Sequence, residues 1–145
     1  MDSVQLSYAG CVNSPLFDLQ LVKRLAEEER FTLGTGPACI GTLQDYLHGD
    51  LGRYRPFAQA VIRLLRVEDF SQTRRWPEPE GRPADEYGVR FSKDLLEEFE
   101  LDVSTWYVKV EVQTNRKGQQ LFFMSLHPLA FVMYERNGGT LRPEK

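Results

Sequence analysis

From Trp106 to Pro128 the chain alternates with a period of two. Trp106, Val108, Val110 and Val112 are apolar, and Tyr107, Lys109, Glu111 and Gln113 fall between them or follow them. That rhythm predicts a strand with one buried face. Polar residues and a glycine at positions 115–118 suit a hairpin turn, and a second strand runs over residues 120–127. Burial selects the pairing, because a slip of one residue turns every side chain to the other face. One register joins Trp106, Val108, Val110 and Val112 with Phe122, Met124 and Leu126 in a wholly apolar face. It leaves Tyr107, Lys109, Glu111, Gln113, Ser125 and His127 outside, with Leu121 and Phe123, and sets Tyr107 opposite His127. The slipped register would mix Lys109 and Glu111 with Phe122, Met124 and Leu126.

Upstream the spacing is helical. Phe17, Leu21, Val22 and Leu25 share one face of a helix predicted over residues 18–29, with Asp18 able to cap its first turn and Glu27, Glu28 and Glu29 as a solvated end. A second helix starts at Thr35 or Gly36 with Pro37 in its first turn, and ends with His48 in the last turn and Gly49 just beyond. The glycines there do not make a phosphate loop, since no GxxxxGK[ST] follows a strand. Arg55-Pro56 opens a third helix whose Phe57, Ala60, Val61, Leu64 and Leu65 face a core. Arg53, Arg55, Arg63 and Arg66 decorate its outside, as a solvated face or part of a basic rim. Residues 69–76 read as a short strand, residues 77–87 as a proline-rich loop and residues 87–91 as a returning strand. Leu95, Leu96 and Phe99 then mark a short acidic helix capped by Ser92. Beyond His127, residues 129–134 form a strand-like apolar run, and Gly138-Gly139 with a charged end predict a frayed tail.

Helices followed by strands imply an α+β fold, with N-terminal helices packed on a small antiparallel sheet, an extra acidic helix and a C-terminal extension. A chain of 145 residues suits one domain, divided into an arm at 1–15, a core at 17–128 and an extension at 129–145. Hydrophobic content of 41% and charged content of 27% are those of an ordinary globular protein. No segment is long and apolar enough for a membrane span and no leader pattern opens the chain, so a cytoplasmic protein with no membrane partner is expected. Cys11 and Cys39 lie far apart without a histidine cluster, which points to reduced thiols. The net charge of -3 argues against a generic nucleic-acid binder, so any RNA contact must come from a local basic patch.

The candidate chemistry lies on the outer face of the hairpin. No HExxH, CxxC or carboxylate cluster has metal-ligand spacing, so neither a metal nor a cofactor is expected. Ser125 and His127 lack an orienting acid for a hydrolase triad. Metal-free RNA cleavage needs a base for the ribose 2'-hydroxyl, an acid for the leaving 5'-oxygen, and donors for the charge on the phosphoryl oxygens. His127 suits acid or base work, and Tyr107 can donate to a phosphate oxygen or stack on a base. Lys109, Arg74 and Arg75 can hold phosphate, with Arg90, Arg116 and Lys117 widening the patch. The plainer reading is that Tyr107 and Lys109 form the polar face of a strand and that His127, before Pro128, satisfies a backbone group.

FDLQLVKRLAEE, a helix pair ending in VEDF, ADEYGV, WYVKVEV and FFMSLHP follow one another in the order seen in MqsR-family toxins, which the chain resembles over roughly residues 17–128. These are small bacterial mRNA interferases of the RelE-like class, the toxin halves of toxin–antitoxin pairs. The resemblance implies a RelE-like fold, metal-independent endoribonuclease activity, an mRNA substrate and a neutralising antitoxin as partner. The family's sheet tyrosine falls on Tyr107 and its nearby lysine on Lys109, while the basic residue of the last strand falls on His127 in place of lysine. Its lysine after the DF motif falls on Gln72 and its glutamine before DxY on Ala84, whereas Asp85 and Tyr87 match. The implied site is thus Tyr107, His127 and Lys109 for catalysis, with Gln72, Arg74, Arg75, Arg82, Tyr87 and Arg90 for RNA. The acidic helix would shape the antitoxin contact or fence the site. The replacements at Gln72 and Ala84 keep a second reading open, a non-catalytic RelE-like interaction domain that has lost the ribonuclease site, unless Arg74, Arg75 and Arg82 serve instead. A DNA-associated module is disfavoured, because no basic recognition helix is present.

Overall fold

Asp18 closes the first turn of helix α1 (Leu19–Glu27), its carboxylate accepting from the Gln20 amide. Leu19, Val22, Leu25 and Ala26 form the buried stripe of that helix. Beyond it the chain turns at Glu29, which sits in the left-handed region at φ 60°. Strand β1 (Phe31–Leu33) follows. Arg55 fastens this turn by donating to the carbonyls of Glu29 and Phe31, with its guanidinium 3.8 Å from the centre of the Phe31 ring. The structure, a computed structural model, describes residues 14–75, 81–136 and 138–144. Residues 1–13 of the expected arm and part of the proline-rich loop therefore lie outside the described residues, as does Cys11.

A π-type turn, Pro37–Gly41, with Pro37 in its first turn leads into α2 (Thr42–Tyr46), and His48 and Gly49 end the segment at φ 57° and 72°. Helix α3 (Tyr54–Leu64) buries Tyr54, Phe57, Ala58, Val61 and Ile62. Its arginines are ties within the fold rather than a basic rim. Arg63 pairs with Glu27 of α1, Arg66 with Asp69, and Arg53 with Glu100 while lying over the Phe99 ring. Then come β2 (Phe70–Arg75), β3 (Pro83–Arg90), α4 (Lys93–Glu98) with Ser92 as its cap, β4 (Thr105–Asn115) and β5 (Gly118–Pro128).

Five strands form one sheet in the order β1-β5-β4-β3-β2. All neighbours are antiparallel except β1 and β5, which run parallel. The sheet is therefore mixed, not antiparallel throughout as expected. The three residues of β1 are too few to show alternation, so no periodicity marks the strand. The helices cover one face. There Trp106, Val108, Val110, Leu121, Phe123 and Leu126 meet Phe57, Val61, Ile62 and Leu43, all essentially without exposure. The Trp106 ring stacks on Phe91 and meets Phe57 and Tyr46 edge-on, and its N–H donates to the Val103 carbonyl.

Two bulges set what the opposite, outer face displays. The β4–β5 pairing runs Tyr107 to His127 and Lys109 to Ser125, then shifts so that Val110 meets Phe123 and Val112 meets Leu121. Met124 is the extra residue. The expected faces therefore hold on one side of the bulge and invert on the other: Leu121 and Phe123 are wholly buried, while Phe122 and Met124 are partly exposed. A second bulge lies between Phe70 and Gln72 in β2. It lets Phe70 enter the core and sends Gln72 and Arg74 outward, towards Glu86.

The C-terminal extension is not a frayed tail. Two short strands, β6 (Met133–Tyr134) and β7 (Thr140–Leu141), pair with each other. Leu129, Met133 and Leu141 pack on Tyr107 as a second small core on the outer face. Gly88 makes that approach possible, since a Cβ there would lie 2.7 Å from Leu141 Cδ1.

Glu29 and Glu100 both hold left-handed backbone, at φ 60° and 57°. Replacing either with glycine is expected to raise stability by about 0.5–1 kcal/mol. Urea unfolding midpoints of Glu29→Gly and Glu100→Gly check this, and a lowered midpoint in both would count against it.

Candidate active site

Antiparallel pairing lines up a polar row across the outer face: Ser125 beside Lys109, Lys109 beside Glu86, and Glu86 beside Gln72. The next row holds His127, Tyr107 and Gly88. Glu86 is the centre, with 1% of its surface exposed. Its carboxylate accepts from Gln72 Nε2 at 3.1 Å, from Arg74 Nε at 2.6 Å and from the Tyr107 hydroxyl. A buried carboxylate needs such donors to offset its lost hydration. Arg74, half exposed, is held more firmly in its charged form by that bond and that charge.

Tyr107 is 6% exposed. Burial, then the nearby Glu86 charge and the bond to it, push its phenol well above the ordinary range, so it acts as a neutral donor. Its ring lies 5.0 Å from the His127 ring at a tilt of 31°, and Phe131 meets its other surroundings edge-on at 5.4 Å. His127 is partly buried, and with Nδ1–H donating to the Pro128 carbonyl at 2.7 Å, Nε2 is left for proton exchange. Lys109 is also partly buried. Burial lowers its pKa first of all, Glu86 opposes that shift and Arg74 adds to it. A lysine shifted this way releases its proton more readily.

Thus the structure brings together Tyr107, His127, Lys109, Gln72 and Arg74. The expected projection of the phenol into solvent is corrected, because the C-terminal segment lies over it. Tyr87 lies elsewhere: it is fully buried on the helix side against Phe70, with its hydroxyl enclosed and unpartnered. Arg82 pairs at 3.0 Å with buried Glu111, which also accepts from Gln113. Arg75 donates to the Gly81 carbonyl, and Arg90 lines a separate cavity of about 260 Å³ with Arg66, Asp69 and Glu135. Ala84 is wholly buried and supplies no polar group. Sequence reasoning missed Glu86. The signal was available, since Tyr87 and Val89 pointing inward send Glu86 outward in a strand of period two. Asp85, matched in sequence as part of the DxY motif, has a structural role: its buried carboxylate accepts from the Leu16 and Phe17 amides and the Thr73 hydroxyl and so pins the start of the chain's described part to β3. Cys39 is a buried free thiol, raised by burial to about 11. Among the described residues no group of three His, Cys, Asp or Glu side chains is placed to hold a metal ion, and no helix is long and apolar enough to cross a membrane.

Glu86→Leu would leave Arg74 and Lys109 without their shared counter-charge. The expected loss is roughly 2–4 kcal/mol, at the low end of a broken buried pair because Arg74 is half exposed. Glu86→Gln, which keeps the hydrogen-bonding shape, should lose less; equal losses would show that the charge carries no weight. Glu135 supplies a pH test. Burial, then Asp69, raise its carboxyl from 4.5 to about 7, with Arg66 and Arg90 opposing. Its contribution to stability is therefore full below about pH 4.5, declines as pH rises, and is gone above about pH 7. Melting temperatures of Glu135→Gln minus wild type should climb between pH 4.5 and 7, and a flat difference would refute the assignment.

Comparison with known proteins finds no family model that matches this chain, no matching curated protein and no matching solved structure. What the cluster can do follows from its own groups and their spacing.

Proposed function

We propose that this chain is a metal-independent endoribonuclease of the MqsR-like, RelE-like kind, a cytoplasmic toxin that cleaves mRNA and is neutralised by an antitoxin. One observation carries the reading: a phenol and an imidazole 5.0 Å apart on a sheet face, with Lys109 next along the same strand and Arg74 joined to the phenol through Glu86. His127 Nε2 takes the proton of a ribose 2'-hydroxyl as its oxygen bonds to the adjacent phosphorus. The bond from phosphorus to the 5'-oxygen breaks, and Lys109 protonates that oxygen. A 2',3'-cyclic phosphate and a 5'-hydroxyl are the products. Tyr107 and Arg74 donate to the phosphoryl oxygens as charge builds there. Glu86 holds both donors in place, and Arg74, two residues along the same strand, supplies the cation absent at Gln72.

A second reading, a RelE-like interaction domain without catalysis, draws support from the cover over Tyr107 and from the commitment of Arg74 to Glu86. Cleavage of transcripts separates the two. Expressed alone in a bacterial host, the protein is expected to slow growth and fragment transcripts. Purified Tyr107→Phe and His127→Ala should cleave RNA about 10²–10⁴-fold more slowly than wild type. Intact RNA with well-folded wild type leaves the interaction domain as the reading.

A further inference from the structure

We propose that the C-terminal extension is an autoinhibitory strap, closed over Tyr107 and obliged to lift before RNA reaches the phenol. The inference rests on the ribonuclease reading and names how that same site is regulated.

The strap covers a side chain that the proposed reaction uses as a donor to the phosphoryl oxygens. Leu129, Met133 and Leu141 pack on Tyr107, and the Phe131 ring meets it edge-on. Tyr107 keeps 6% of its surface, too little for its hydroxyl to meet a phosphodiester while the strap is down. Its fastenings are few and lie at the margins of the sheet. At one end the Leu129 amide donates to the Thr105 carbonyl. At the other, Glu144 accepts from the Ser104 amide, the Ser104 hydroxyl and the Thr105 hydroxyl. In between, the Arg136 amide donates to the Phe70 carbonyl, and the Ser71 hydroxyl donates to the Tyr134 carbonyl. Ser71 is the extra residue of the β2 bulge, so the same irregularity that turns Gln72 and Arg74 outward also offers the strap a handhold.

The strap is also built to come away. Its two strands have two residues each, and they pair only with each other. Phe131, Val132 and Tyr134 remain exposed by 46%, 37% and 71% on a segment that already covers the site. Segments with few buried contacts and exposed hydrogen bonds open far more readily than a core does. Gly88 gives the strap its seat: any side chain there would run into Leu141, Met133 and Glu135. Lifting the strap uncovers Tyr107 and leaves the helix-side core, with Trp106 at its centre, as it was.

The test uses the full chain with Gly88→Val, which fouls the seat, and Glu144→Gln, which weakens the end fastening. Neither replaces Tyr107, His127 or Lys109; Gly88 is the cross-strand neighbour of Tyr107, so Glu144→Gln tests the opening without a new side chain beside the phenol. Tryptic cleavage after Arg136 reports opening, and cleavage of a purified unstructured RNA reports the reaction. Both variants should be cut at Arg136 at least tenfold faster and should cleave RNA several-fold faster than wild type. Tyr107→Phe in the Gly88→Val background should abolish the gain. If Gly88→Val does not fold, Leu141→Ala takes its place. Faster proteolysis with unchanged or slower RNA cleavage would overturn the strap as an inhibitor while leaving the nuclease intact. Unchanged proteolysis in both variants would overturn these fastenings. Intact RNA with wild type and opened variants alike would remove the nuclease reading, and the strap's role with it.

Discussion

A carboxylate sealed in the middle of a sheet face has to be neutralised where it stands, and Glu86 imposes that condition on everything around it. Water cannot reach it, so protein donors must. Two strands send them: Gln72 and Arg74 from β2, and Tyr107 from β4, where Lys109 adds its charge. None of these four is then free to adopt an arbitrary rotamer. The acid thus does for the site what a metal ion does elsewhere, drawing side chains of distant sequence into one fixed arrangement, with the signs of charge reversed.

Register delivers those groups, and the bulges deliver the register. In a flat ladder, Leu121 and Phe123 would share a face with His127 and Ser125. The Met124 bulge turns the strand over partway along, so that one half offers apolar groups to the helices and the other half offers Ser125 and His127 to the outer face. The bulge in β2 does the same for Phe70 against Gln72 and Arg74. Both irregularities border the polar cluster, and each fills the core on one side while it furnishes the polar face on the other.

Much of this was legible along the chain. The helices, their caps at Asp18 and Ser92, and the facing of Tyr107 and His127 follow from spacing, because local periodicity and one hairpin turn decide them. Legibility ended where placement depended on contacts across the fold. Met124 ends an apolar run from Leu121 through Phe123, so no alternation betrays it as the extra residue. Residues 129–134 do read as an apolar run, yet what they lie on is decided by an absent side chain at Gly88, far off in sequence. Alternation with Tyr87 and Val89 sends Glu86 to the outer face and Asp85 to the inner, but which donors each acid meets depends on the neighbouring strands and on Leu16 and Phe17.

The parallel contact between β1 and β5 has a kinetic side. Phe31 meets Leu121, about 90 residues further along, and Leu33 meets Phe123. The first strand therefore has no neighbour until the final hairpin exists, and α1 and α3 have only a partial surface against which to shed water. Contacts of such wide sequence separation slow folding, because a long loop must close before they form. The phenol–imidazole pair lies across that same hairpin, so the element that gives β1 its neighbour is also the one that brings Tyr107 and His127 together.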